Sequence, residues 1–401
     1  MYLSTMAPEA LSVVAELGWG LWVLRISRDD STVEHVVVVK ASKEVILTAR
    51  ENREFRFYLA PCQLGDSRGL TLLTAFFDDP ENPLTITSPL IPGHPILMEL
   101  QKLPNDFTIC FFDDQNRELL SCRARARLDR FRETLLSSSY LEAAHWRLIC
   151  AQAESWLANR TAKDDAQSFV VELQQDLFPS NCKIIEMNAR HGFLGSSGFS
   201  STSLERAEPG PLQEIDIIFL LQRVYAADRI VHGPLKVSDD EELVDVLILG
   251  KEMNVLLQAK DSPNTSKILN TTIDRKRRKS VSQLKDGLSQ LGGALSTIRR
   301  EGVVQLKIAA TAGLEVNFST KPCLGIVIVK ELFPDKYDEY SSLALDFVGK
   351  QQMPIVFFDY PEFEVMTRHF PSEDALLSVF DQIFAYALNN HLYPRFRFTR
   401  P

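Results

Sequence analysis

Apolar and polar positions fall into three regimes along the chain. Up to about residue 120 the apolar residues come in short β-branched or aromatic runs, at 20–26, 35–40, 71–77 and 107–112, with polar breaks between them. Such runs predict strands. The pairs Asp78-Asp79 and Asp113-Asp114 that close two of them predict solvated turns rather than ligands. From 121 to 160 the spacing turns helical, through Leu128, Phe131, Leu135 and Leu136 and then Ala144, Leu148, Ala151 and Trp156. Beyond that, helical and strand-like stretches alternate. The division this predicts is a β-rich domain of unknown role over 1–120, a helical connector over 121–163, and an α/β domain over 164–401.

In the last region, 166–178 reads as a helix ending at Pro179, and 182–187 as a strand. The glycine- and serine-rich stretch 192–203 lacks the spacing of a phosphate-binding loop and reads as a surface loop. Residues 211–230 fit either one helix or two strands; on both readings Glu214 or Asp216 can reach the site described next. Residues 244–260 form two apolar runs joined at Gly250-Lys251-Glu252, the pattern of a buried hairpin. A helix follows, opening on Lys276, Arg277, Arg278 and Lys279 and carrying Val281, Leu284, Leu288, Leu291, Leu295 and Ile298 on one face. Gly287, Gly292 and Gly293 interrupt it, and close packing on a sheet is the expected reason. Buried strands at 324–329 and 354–359 and a helix at 373–388 complete the region. The basic, aromatic tail 393–398 could serve nucleic acid or dock on the domain surface.

The hairpin carries the chemistry. Side chains alternate along a strand, so Gln258 and Lys260 share one face. Antiparallel pairing brings Asp245, at the head of the first run, to the same end. An acid, an amide oxygen and an ammonium then meet at the rim of a buried sheet, a candidate metal-and-phosphate site. The net charge of −9 excludes a generally basic nucleic-acid coat, yet residues 261–300 hold nine Lys/Arg against three Asp, a local basic patch. The six cysteines form no CxxC pair and are expected to be reduced. No apolar run is long enough to span a membrane, and no signal peptide opens the chain, so a cytoplasmic protein is expected.

Strand, turn, strand and helix, with Asp245 followed by Gln258-Ala259-Lys260, resembles the PD-(D/E)XK nuclease superfamily, in the QxK variant of type IV restriction endonucleases. Val244 stands where that family often has Pro, and Gln283 matches the glutamine-bearing helix of many members. The resemblance covers about residues 211–330 and implies a restriction-endonuclease-like domain, a central mixed sheet flanked by helices, within 164–401. It implies a metal-dependent endonuclease hydrolysing phosphodiester bonds, in DNA before RNA, with a role in restriction or anti-phage defence. Mg²⁺, with Mn²⁺ as substitute, prefers oxygen ligands; Asp245, Gln258 Oε1 and the Ala259 carbonyl are the expected set, and Lys260 the group that orients water or stabilises charge. Gln258 in place of Glu removes a charge, so a further acid is expected: Glu214 first, then Asp216 and Glu242. Lys276, Arg277, Arg278, Lys279 and Gln283 are the expected nucleic-acid contacts. A homodimer or a protein partner held through the N-terminal domain is a further expectation. The rival from another class is a catalytically inactive nuclease fold used for nucleic-acid binding or scaffolding.

Overall fold

The structure, a computed structural model, describes residues 2–27, 33–179, 182–187, 189–269, 271–308 and 311–395, with the side chains of 311 and 312 excepted. The fold is mixed α/β. An eight-stranded sheet comprises β1 (Gly20–Ser27), β2 (Val33–Lys40), β3 (Glu54–Leu64), β4 (Ser67–Phe76), β5 (Leu84–Pro89), β6 (Asp106–Phe112), β7 (Glu118–Ala126) and β8 (Phe169–Asp176), in the order β1-β2-β6-β7-β8-β3-β4-β5. In β2 the valines divide between two cores: Val37 and Val39 join the large one, Val36 and Val38 a smaller one under the N-terminal helices. Lys40, at the end of this strand, is buried and donates to the carbonyls of Val14 and Leu17.

Two expectations are corrected here. Residues 169–176 are a strand, not part of a helix, and β8 sits inside the first sheet between β7 and β3. Residues 118–126 are likewise a strand, so the helices of the expected connector begin only at Asp129–Ser137, followed by Trp146–Ala158. The first unit therefore runs to Asp176 rather than ending at 120.

The glycine- and serine-rich stretch closes a small ribbon, β9 (Ile184–Glu186) with β10 (Ser200–Thr202). The ambiguous region resolves as a helix, Gly210–Leu221, followed by β11 (Ile230–His232). After β12 (Leu235–Lys236) come β13 (Val246–Leu249) and β14 (Asn254–Lys260), antiparallel with Val246 opposite Leu257. Gly250 is required at their turn, because a Cβ there would lie 1.9 Å from the Met253 carbonyl oxygen. The long helix Ile273–Glu301 leads through β15 (Val303–Ile308) and β16 (Thr311–Asn317) to β17 (Cys323–Val329) and β18 (Ile355–Asp359). β14, β17 and β18 are parallel, and the sheet order is β11-β13-β14-β17-β18.

The long helix lies close on β14 and β17. A Cβ on Gly287 would sit 2.7 Å from Val327 Cγ1 and 3.6 Å from Lys260 Cγ, so this glycine admits the sheet, as expected. Gly292 makes only ordinary contacts and Gly293 faces open space, so neither is needed for close approach. The last helix is Glu373–Asn390. Tyr393 is buried and donates to the Ile355 carbonyl, and Arg395 pairs with Asp359 and Glu362. Residues 396–398 of the basic tail lie outside the described residues.

The first unit and the second meet across a buried ionic network. Asp216, on the helix Gly210–Leu221, accepts from Lys43 Nζ (3.2 Å), Arg117 (2.8 Å) and Arg206 (2.8 Å). Arg117 also binds Asp113, and Asp114 accepts from the Tyr360 hydroxyl at 2.6 Å. Asp113-Asp114 is thus a turn, but a buried one, not the solvated turn expected.

Candidate functional site

The site forms where β13 begins and β14 ends. Asp245 stands one residue before β13, its backbone carbonyl accepting from Gly233 N–H at 2.9 Å. Its Oδ2 accepts from the Ala259 N–H at 2.7 Å, which extends the hairpin by a side-chain contact past the last backbone pair. Lys260 Nζ lies 3.1 Å from Gln258 Oε1 and 3.5 Å from Asp245 Oδ2. Gln258 and Lys260 share a face, as the strand period requires. The approach of Gly287 to Lys260 Cγ shows that the long helix covers the same face. The structure thus brings Asp245, Gln258 and Lys260 together.

Two further acids adjoin them. Burial pushes the Asp245 carboxyl above the usual range and the charge of Glu214 adds to this, while Lys260 and the Ala259 N–H pull it back. Glu242 is pushed up to about 7, by burial and then by Asp245 and Glu214. Glu214 Oε2 in turn lies 2.8 Å from His232 Nε2, and His232 pairs with Val246 across β11 and β13. Asp216 is not at the site. Residues two apart on a helix point about 200° apart, and Asp216 is spent on the interface network. His232 was not anticipated, since a lone histidine beside Gly233 carries no motif.

The basic stretch is partly committed elsewhere. Lys276 pairs with Asp78 at 2.6 Å, and Arg277 with Asp274 and Asp335 over the Phe333 ring. Arg278 and Lys279 are exposed. Gln283 is buried and does not face solvent; its amide donates to the Asp261 carbonyl (2.8 Å) and Ser262 Oγ (2.9 Å), fixing the chain as it leaves Lys260.

For a cation, the available donors are all oxygen. Asp245 Oδ1 has no hydrogen-bond partner among the described residues, and Gln258 Oε1 shares the Lys260 ammonium with Asp245 Oδ2. The Ala259 carbonyl shares the strand edge of its own N–H, which faces Asp245. Among the described residues, no group of three or more His, Cys, Asp and Glu is disposed to hold a metal ion. The set therefore fits a hard, oxygen-preferring ion only with the amide and carbonyl oxygens included, with the crowded Glu242 and Glu214 supplying negative charge nearby. No helix among the described residues is long and apolar enough to cross a membrane. No protein-family model, curated protein or solved structure matches the chain.

Proposed function

We propose that the protein is a divalent-metal-dependent nuclease, hydrolysing phosphodiester bonds in DNA. The observation that carries this reading is the meeting of Asp245, Gln258 and Lys260 at one end of the hairpin, Lys260 Nζ within 3.5 Å of both partners. The likeness to the PD-(D/E)XK superfamily is supported by the mixed sheet, its flanking helices, and the order hairpin, long helix, parallel strand.

In this reading Asp245, Gln258 Oε1 and the Ala259 carbonyl hold Mg²⁺ or Mn²⁺, with Glu242 and Glu214 contributing negative charge. A bound ion would neutralise the scissile phosphate and acidify an attacking water. Lys260 places a positive charge where the phosphate gains negative charge, and it cannot drift, because Gln258 and Asp245 hold its ammonium. The Ala259 N–H orients Asp245. Arg278 and Lys279, exposed at the start of the long helix, are available to the DNA backbone.

Incubating plasmid DNA with Mg²⁺ tests the reading. Lys260→Ala and Asp245→Ala should each lose cleavage by about a thousandfold or more, as removal of a charge-stabilising group does, while the folded far-UV spectrum persists. Wild-type rates in both variants would refute the site.

One observation favours a second reading, a nuclease fold that binds without cutting. Lys260 and the Ala259 N–H already occupy Asp245 Oδ2, and Lys260 occupies Gln258 Oε1, so part of the donor set is engaged without an ion. Calorimetry with Mn²⁺ separates the two, because a non-catalytic fold should give no saturable heat.

A further inference from the structure

A cavity of about 710 Å³ opens between the two units, within the range of about 300–1,000 Å³ usual for small-molecule sites. It lies over the carboxyl ends of the parallel strands β14, β17 and β18, the edge at which open α/β sheets receive ligands. Ser262 and Gln283 line it, so it is continuous with the exit of the strand that carries Lys260.

Its lining carries five cations and five carboxylates, equal in number but unevenly paired. Glu44 pairs with Lys330 at 3.0 Å, Asp78 with Lys276 at 2.6 Å, and Arg395 with Asp359 and Glu362. Arg275 and Lys279 line the same space and have no partner among the described residues. An anion is the complement of two unpaired cations on the first two turns of a helix of 29 residues.

The remaining walls select what the anion is attached to. Leu84 and Leu269 supply apolar surface, and Trp19 and Phe333 supply rings. Trp19 Nε1 is a buried donor with no acceptor among the described residues. Glu331 projects no hydrogen bond to the described residues; burial, and then the charge of Glu44, push its carboxyl up to about 7, so near neutrality it can donate as well as accept. A ligand that satisfies these groups together has a flat ring bearing heteroatoms and a phosphate.

We propose that this cavity binds a nucleotide, the phosphate held by Arg275 and Lys279 and the base between the apolar walls beside Trp19 and Glu331. The nucleotide is either free or an unstacked member of a bound strand; both present the same chemistry.

Isothermal titration of the full chain carrying Lys260→Ala, in EDTA, tests this without reference to cleavage, so it can fail or succeed independently of the nuclease reading. The probes are AMP, GMP, CMP and TMP, inorganic phosphate, and a short single-stranded oligonucleotide with and without one abasic position. At least one mononucleotide should bind with a micromolar Kd, with phosphate at least about tenfold weaker. Alternatively, the oligonucleotide should lose about tenfold on abasic substitution while mononucleotides stay silent, which identifies the strand as the source. Arg275→Ala combined with Lys279→Ala should weaken whichever probe binds by about tenfold or more. Leu269→Trp and Leu84→Trp each put a bulkier ring at a lining position and should each abolish binding; either suffices if the other fails to fold. Phosphate binding as tightly as any nucleotide, indifference to the filling variants, or silence from both the mononucleotides and the abasic comparison would overturn the proposal.

Discussion

Lys260, Gln258 and Asp245 could be brought together on paper because only two rules are involved. Strand side chains alternate, and an antiparallel hairpin returns its second strand to the start of its first. The acid that Gln258 makes necessary was harder to identify. On a pair of strands Glu214 and Asp216 would share a face, whereas on the helix that forms they diverge, one toward His232 and the other into the interface. Glu242, ranked behind Glu214 and Asp216 from the sequence, becomes an equal of Glu214 in the structure, for it is close enough to Asp245 and Glu214 to feel both charges. Glu242→Gln and Glu214→Gln should each weaken Mn²⁺ binding by about tenfold, at the low end of the 10–100-fold expected of groups around a metal. Titration calorimetry on the folded variants checks this, and unchanged affinity in both would restrict the ion to the hairpin oxygens.

Among the elements, the hairpin, the long helix and the parallel strands were legible because their apolar runs are long and strictly periodic. β8 was not: Glu172, Gln174 and Gln175 favour a helix locally, and only the neighbours β7 and β3 draw Phe169–Asp176 into a strand. The glycines of the long helix divide by what they face. Gly287→Ala should destabilise the protein by about 1–3 kcal/mol, since the new methyl group meets Val327. Gly293→Ala, opening on free space, should stabilise it by up to about 1 kcal/mol. Urea unfolding of the two variants reads the difference directly. The cap of the helix Tyr360–His369 offers a pH test. Asp359 and Glu362 form a capping box. Burial pushes both carboxyls upward, and the charge of Asp359 adds to the push on Glu362. A folded pKa above the unfolded one means stability that is full below the usual carboxylate range and declines as pH rises through neutrality. Glu362→Gln keeps the hydrogen-bonding shape and should flatten that decline in Tm measured from pH 5 to pH 8.

At the scale of the whole molecule, a buried ionic network joins the two units. Against the cost of burial, Arg117, Lys43 and Arg206 hold the Asp216 carboxyl well below the usual range. Its contribution is present above the unfolded pKa and lost only as pH falls through the much lower folded value. Asp216→Ala would leave the buried Arg206 without its carboxylate and take one of the carboxylates from Lys43 and Arg117, which keep Asp113, and should cost about 3–5 kcal/mol in chemical unfolding. A loss under about 1 kcal/mol would mean that water reaches the network. None of this was legible in the sequence, because Asp113-Asp114 carries a correct turn signal and says nothing of the surface that later covers it. β8 has a further consequence, for the order in which the protein is made. With β8 lying between β7 and β3, the first sheet has a gap until residue 176 has left the ribosome. A nascent chain halted near residue 160 would hold two strand groups with facing, unpaired edges, a state open to pairing with other chains. The helices of 129–158 are thus synthesised before the sheet they pack on can close, and the first unit completes itself only as the second begins to emerge.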